Sequence, residues 1–505
     1  MNSSIPKREA LARLFFTLIL TTLCGCAFTE PTPELDLIYN ETARYHSPDR
    51  NPIIAIPGIL SSRLLDRPSG QVVWGAFEPG TADPDDPDVA RLISLPIRDD
   101  LALADIRDQV QPDGVLDKVR IKLLGVAFEL QAYAGILSTL GAGGYRDQDV
   151  GLAGQVDYGD GHFTCFQFDY DWRRDNVENA KRLHKFILEK QAYVREQYRR
   201  LYGIDKQHVK FDIVAHSMGG LVARYFLRYG SQDLPSDGSV PEPTWEGAQY
   251  VERAIMVGTP NAGSLDAFVE LVDGWRIAPT LPYYPSALMG TFPSIYQLLP
   301  RSRNSMVVWD GDPERPVEDI LDADLWERMQ WGLASPRQAA VLDVLMPELP
   351  DARSRRDTAL RYQRRTLDRA KSFARAMDRP ARTPEGLELF IVAGDAEPTP
   401  RRVSIDSDTG GLQVVERASG DGVVLRSSAL LDERVGQTWY PRLVTPIDFK
   451  STLFLSANHL DLTRTDTFSD NVLYWLLEEP RGWHPDGSTG GSVVTEPTFG
   501  PARNL

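Results

Sequence analysis

The sequence predicts an α/β fold with a mainly parallel central sheet, and three observations predict it. Short apolar runs rich in β-branched residues recur at Ile53–Ile56, Phe163–Phe168, Phe211–Ala215, Tyr250–Val257, Leu387–Ala393 and Thr452–Ser456. Segments with helical spacing lie between or after them, at Asp175–Leu201, Leu221–Tyr229 and Asp466–Leu477. Two long stretches, 61–161 and 265–386, interrupt the alternation without repeating it. A chain of 505 residues has the length for one large body carrying such insertions. The expected layout is a core of 51–264 and 387–480, a flap at about 61–161 and a cap at 265–386.

The N-terminus reads as a targeting segment. Lys7, Arg8 and Arg13 precede the apolar run Leu14–Leu23, which is too short to span a bilayer, so 1–25 reads as a signal peptide. Leu23-Cys24-Gly25-Cys26 resembles a bacterial lipobox with Cys26 as the lipid-modified first residue. The Pro-rich, polar stretch 26–50 then reads as a tether. The expectation is an exported lipoprotein anchored in the cell envelope. With Cys26 modified and Cys24 removed, Cys165 is the one remaining thiol, so no disulfide is expected. The formal charge of −16 argues against a nucleic-acid partner.

In the flap, Gln71–Gly75 places Trp74 in a loop. The cap begins aromatic and Pro-rich, with Trp275, Tyr283, Tyr284 and Phe292, and ends in an Arg-rich helix from Asp351 to Arg379. Leu360, Leu367, Ala370, Ala374 and Met377 share one face of that helix, so it reads as packed on the core with its arginines in water. Trp74 and the aromatic run near Tyr283 and Tyr284 are expected to meet lipid, the alternative being that these rings pack inside. The end of the chain, 481–505, is of low complexity and reads as a disordered tail.

The chemistry gathers at Lys210–Tyr225. Strand Phe211–Ala215, turn His216-Ser217-Met218-Gly219-Gly220 and helix Leu221–Tyr229 form a nucleophile elbow, the mark of an α/β-hydrolase fold. Such a turn lifts the Ser217 hydroxyl above the sheet and aims the Met218 N–H at any oxyanion formed there. The loop Pro57-Gly58-Ile59, after the first strand, is where the second donor, the Ile59 N–H, is expected. A serine nucleophile needs a histidine base, which in this fold follows it in the chain. Of seven histidines, five precede or adjoin Ser217, and His484 lies in the tail. His216 sits on the tight turn and is expected to point elsewhere. That leaves His459, in a loop between the last strand and the last helix. Two aspartates compete for the orienting acid. Asp395 directly follows strand Leu387–Ala393; Asp421 lies in Gly420-Asp421-Gly422, beyond a hairpin at Pro398–Arg417.

Seven motifs in order resemble the lecithin:cholesterol acyltransferase family. They are Pro57-Gly58-Ile59-Leu60 with Ser62-Arg63-Leu64, Tyr170-Asp171-Trp172-Arg173, Ala215–Gly219, Gly258-Thr259-Pro260, Ser294–Pro300, Gly420-Asp421-Gly422-Val423 and His459-Leu460-Asp461-Leu462. The resemblance implies an α/β-hydrolase core with a cap and a membrane-binding subdomain. It implies Ser217 as nucleophile, Asp421 as acid, His459 as base, and Ile59 and Met218 as oxyanion donors. It further implies transfer of an acyl chain from a phospholipid or other acyl-lipid ester to an alcohol or water, at a membrane surface, with no cofactor and no metal. The chain departs from the family at Ala215, Val423 and Asn261-Ala262, and has no cysteine pair around Trp74.

Overall fold

Six strands pair side by side, all parallel. They are β1 Ile53–Ile56, β2 Cys165–Gln167, β3 Phe211–His216, β4 Val251–Val257, β5 Glu388–Gly394 and β6 Ser451–Leu455, in the sheet order β6-β5-β4-β3-β1-β2. A computed structural model describes residues 39–76, 82–116, 119–123, 126–130, 133–276, 282–436 and 440–481. The expected signal peptide, Cys26, the first part of the tether and residues 482–505 lie outside the described residues.

Parallel strands covered on both faces must be apolar throughout, and these are. Every residue of β1 and β3 is buried, as are six of the seven in β5. Deleting a ring such as Phe211 would cost about 3–5 kcal/mol through lost burial and the cavity left behind. Helix Asn176–Tyr202 is capped by the Asp175 carboxylate, which accepts the Val177 N–H, and ends at Gly203 in the left-handed region. The elbow helix, Met218–Tyr229, has every residue buried.

The Tyr-Asp-Trp-Arg motif binds the flap to this core. The buried Arg173 guanidinium bridges Asp171 at 2.8 Å and Asp108 at 2.6 Å, and also donates to the carbonyls of Leu92, Ile93 and Ser94. The flap is built accordingly. Strands Ser62–Asp66, Val72–Trp74 and Val110–Val115 form a small sheet, and Val119–Leu123 with Val126–Leu130 form a separate antiparallel pair. Trp74 is therefore the last residue of a strand and buried, against the expectation of a loop. Its ring lies 5.2 Å from Trp172 and 5.7 Å from Tyr284, which is also buried. Lipid contact by Trp74 or Tyr284 is thereby overturned, because edge-to-face packing among aromatic rings takes their surfaces.

The Arg-rich helix spans Ala352–Asp378 and buries Ala359, Tyr362, Leu367, Ala370, Phe373, Ala374 and Met377, with Leu360 at the edge of that face. Many of its arginines are tied to the protein, Arg369 to Asp175 and Asp233, Arg361 to Asp99 and Arg364 to Asp324. From Tyr39 the expected tether packs on the body. The Tyr39 hydroxyl donates to the Asp470 carbonyl at 2.8 Å, and Arg50 lies over the Tyr145 ring. Among the described residues no helix is long and apolar enough to cross a membrane.

Candidate active site

The elbow forms because β3 must turn straight into its helix. Ser217 has φ 54° and ψ −127°, a conformation an L-residue holds only when its surroundings impose it. Two features impose it here. The Ser217 N–H donates to the Val257 carbonyl of β4 at 2.8 Å, and Gly219 passes so close to β1 that a side chain there would meet the Pro57 carbonyl. The serine is thus held at the C-terminal edge of the sheet, at the helix N-terminus.

His459 comes to the same edge on the loop after β6. Its Nε2 accepts from the Ser217 hydroxyl at 2.9 Å, and its Nδ1–H donates to Asp421 Oδ2 at 2.7 Å. These partners assign the tautomer. The other Asp421 oxygen accepts from the Val424 N–H at 2.6 Å and the Val423 N–H at 3.0 Å. Burial alone would raise the Asp421 carboxyl. The His459 ring and the two loop amides outweigh it and hold the carboxyl below the usual range. The His459 N–H also donates to the Asp421 carbonyl at 2.8 Å, so the two loops are tied by main chain as well as side chain.

The rival acid stands apart from this chain of bonds. Asp395 binds the Arg426 guanidinium, at 2.8 and 3.0 Å. Between the two aspartates the chain makes an antiparallel hairpin, Glu397–Ile405 with Leu412–Gly420. The hairpin returns Asp421 to the end of β5, against Gly394, where any side chain would collide with the Asp421 Cβ.

Of the two expected oxyanion donors, Met218 is the first helical residue after Ser217. Ile59 lies in a loop that passes beside it, where a Cβ on Gly58 would come within 2.9 Å of the Ser217 Cβ. Among the described residues neither amide donates to another backbone carbonyl.

Sequence reasoning missed three groups. His216 does not point away. Its ring is 4.8 Å from that of His459, and its Nε2–H donates to the His459 carbonyl at 3.0 Å. Burial, then the neighbouring His459, pushes its pKa down to about 3, so it is a neutral prop. Asp266 and Glu270 lie one turn apart on helix Leu265–Asp273, whose cap Ser264 donates to the Val423 carbonyl at 2.9 Å. Burial pushes the Asp266 carboxyl up to about 6 and the Glu270 carboxyl up to about 8, where Asp266 adds its repulsion. The GxSxG-like spacing drew attention to Ser217 alone; the i, i+4 acidic pair was the signal available for the other two.

The parallel sheet, the elbow and the loops at its C-terminal edge define the class by its architecture, an α/β-hydrolase fold. Residues 158–327 match the family model of lecithin:cholesterol acyltransferase, the family that the motifs resemble, and that stretch takes in the elbow and the Tyr-Asp-Trp-Arg motif. Among solved structures, a chain of the Tle4–Tli4 complex is 15% identical, aligned over 86% of this chain and 99% of its own with a TM-score of 0.50. The mature lipase BlEst2 of Bacillus licheniformis is 12% identical over 86% of this chain and 94% of its own, with a TM-score of 0.30. Phospholipase PlaB from Legionella pneumophila is 11% identical over 65% and 54%, with a TM-score of 0.28. No curated protein matches the sequence.

Proposed function

We propose that the protein is a lipid-active serine hydrolase or acyltransferase, moving an acyl chain from a phospholipid or other acyl-lipid ester to an alcohol or to water. The observation that carries this is the unbroken hydrogen-bond chain from Ser217 through His459 to Asp421. Ser217 Oγ attacks the ester carbonyl while His459 Nε2 takes its proton. The carbonyl oxygen becomes an oxyanion facing the Ile59 and Met218 N–H groups. Collapse expels the alcohol of the donor lipid, protonated by His459, and leaves acyl-Ser217. A second alcohol, or water, gives its proton to His459 and attacks the acyl-enzyme; the acyl–Oγ bond then breaks as His459 returns that proton to Ser217 Oγ, releasing product and free serine. Asp421 keeps the imidazole in the correct tautomer and stabilises the imidazolium.

The test is product analysis after incubation with mixed phospholipid vesicles, with and without an added alcohol. Wild-type protein should release fatty acid or form acylated alcohol, and Ser217→Ala should lower turnover by about 10⁶-fold. Undiminished product from Ser217→Ala would overturn the reading. The proposal includes export and attachment to a membrane through Cys26, supported by the lipobox-like Leu23–Cys26. Mature protein should then carry added acyl mass that Cys26→Ser lacks; recovery of unmodified wild-type protein would reject the anchor.

A further inference from the structure

The loop between β1 and the flap, Pro57–Ser62, has its carbonyls held while the Ile59 N–H is left without a partner among the described residues. Three of these carbonyls accept from aromatic side chains. The Tyr170 hydroxyl donates to the Pro57 carbonyl at 2.9 Å, Trp74 Nε1–H to the Leu60 carbonyl at 2.8 Å and Trp172 Nε1–H to the Ser62 carbonyl at 3.2 Å. The Tyr170 N–H also donates to Ser62 Oγ at 3.1 Å. Within this clamp Leu60 has φ 65°, a left-handed conformation unfavourable to a residue with a branched side chain. Such a residue stays there only when its neighbours over-determine it. The bond to its own carbonyl comes from Trp74, a ring wedged among Trp172, Tyr284 and Trp275.

We propose that Trp74 is a positioning residue for catalysis: its indole N–H holds Leu60 at positive φ, which fixes the adjoining Ile59 amide as an oxyanion donor beside Ser217. Tyr170 braces the other end of the same loop. The flap strand Val72–Trp74 thus acts on the reaction through the Leu60 carbonyl, without touching substrate. The inference rests on the reading of Ile59 given under the proposed function. It adds a sequence-distant determinant of the transition state. An oxyanion donor fixed in advance needs no reorganisation as charge develops, and loosening it costs rate rather than substrate binding.

The test uses the full-length protein, a short soluble p-nitrophenyl ester and a trifluoromethyl ketone with the same acyl chain. The ketone is a probe of the oxyanion. Ser217 Oγ adds to its carbonyl carbon, the serine proton passes to His459, and the hemiketal oxygen carries the negative charge. Trp74→Phe keeps a ring and removes the N–H. It should lower kcat by about 10- to 100-fold with KM little changed, and raise the ketone Ki by the same factor. Adding Leu60→Gly, which removes the steric objection to positive φ, should recover part of both losses. Tyr170→Phe should show the same pattern more weakly, and carries the test if Trp74→Phe does not fold. A loss in kcat with an unchanged ketone Ki, a loss confined to KM, or no loss at all would overturn the inference while leaving the proposed function intact. Inactive wild-type protein would instead remove the proposed function, and the inference with it.

Discussion

The two sides of the His459 imidazole are built differently. On the Ser217 side the side chain is carried by one short, fully buried stretch, β3, the turn and the helix Met218–Tyr229, which the neighbouring strands β4 and β1 hold in place. On the Asp421 side the carboxylate arrives by a detour. The chain leaves β5, makes the hairpin Glu397–Gly420, pairs one of its strands in parallel with Val307–Trp309 of the cap, and only then returns to the sheet edge. Ser217 thus sits on a contiguous strand-turn-helix braced by its sheet neighbours, and Asp421 is brought in by a long-range closure that involves the cap. Each imidazole nitrogen still meets its partner within hydrogen-bonding distance, because Gly394 leaves room at the end of β5 and the Asp421–His459 main-chain bond ties the loops together.

The largest effect that tests this contrast is exchange of the two aspartates one at a time. Asp421→Asn should lower kcat by about 10⁴-fold, since the amide favours the wrong His459 tautomer. Asp395→Asn, which breaks only the pairing with Arg426, should leave kcat within a few-fold of wild type. Steady-state kinetics on a soluble ester reads both, and the reverse order would move the acid to Asp395.

Much of the Ser217 side was legible in sequence because it is local. A strand, a turn and a helix of fixed length announce an elbow wherever they occur. His459 followed by elimination. Asp421 over Asp395 did not follow from the residues, since proximity in sequence favours Asp395; the Gly-Asp-Gly surroundings and the family resemblance carried the choice. The side chains that brace the site were the least legible. Trp74 and His216 act through main-chain carbonyls at Leu60 and His459, and no residue pattern records which carbonyl a buried ring will reach. The aromatic rings of flap and cap were open to two readings for a similar reason: Trp74 and Tyr284 are equally apolar facing lipid or facing each other.

A middle-sized effect should come from Gly394→Ala. Its added methyl would meet the Asp421 Cβ and push the carboxylate off Nδ1, so kcat should fall by about 10- to 100-fold. Labelling of Ser217 by a reactive probe should slow in step, because the imidazole that activates it loses its orientation. Equal kcat in wild type and variant would mean that the acid loop is not closely fitted to β5.

The smallest effect on catalysis, and one read through stability, concerns His216. Its folded pKa of about 3 lies below the ordinary histidine value of 6.5, so the unfolded chain binds the extra proton between these values. Stability from this group is complete above about pH 6.5 and is lost as pH falls toward 3, by on the order of a few kcal/mol. His162, lowered to about 4 by burial and Arg146, acts in the same direction. Urea midpoints measured across this range should fall with pH, and fall less steeply in His216→Asn. Parallel curves for the two proteins would show that His216 does not titrate on unfolding.

The central claim is that Ser217 is a nucleophile activated through His459 and Asp421. It is met most directly by reaction with a fluorophosphonate followed by peptide mapping. The account predicts one phosphonyl group per chain, carried on Ser217, with fluoride released and labelling about 10⁴-fold slower in Asp421→Asn. A label on another serine, or ester turnover by protein that takes no label at Ser217, would contradict it.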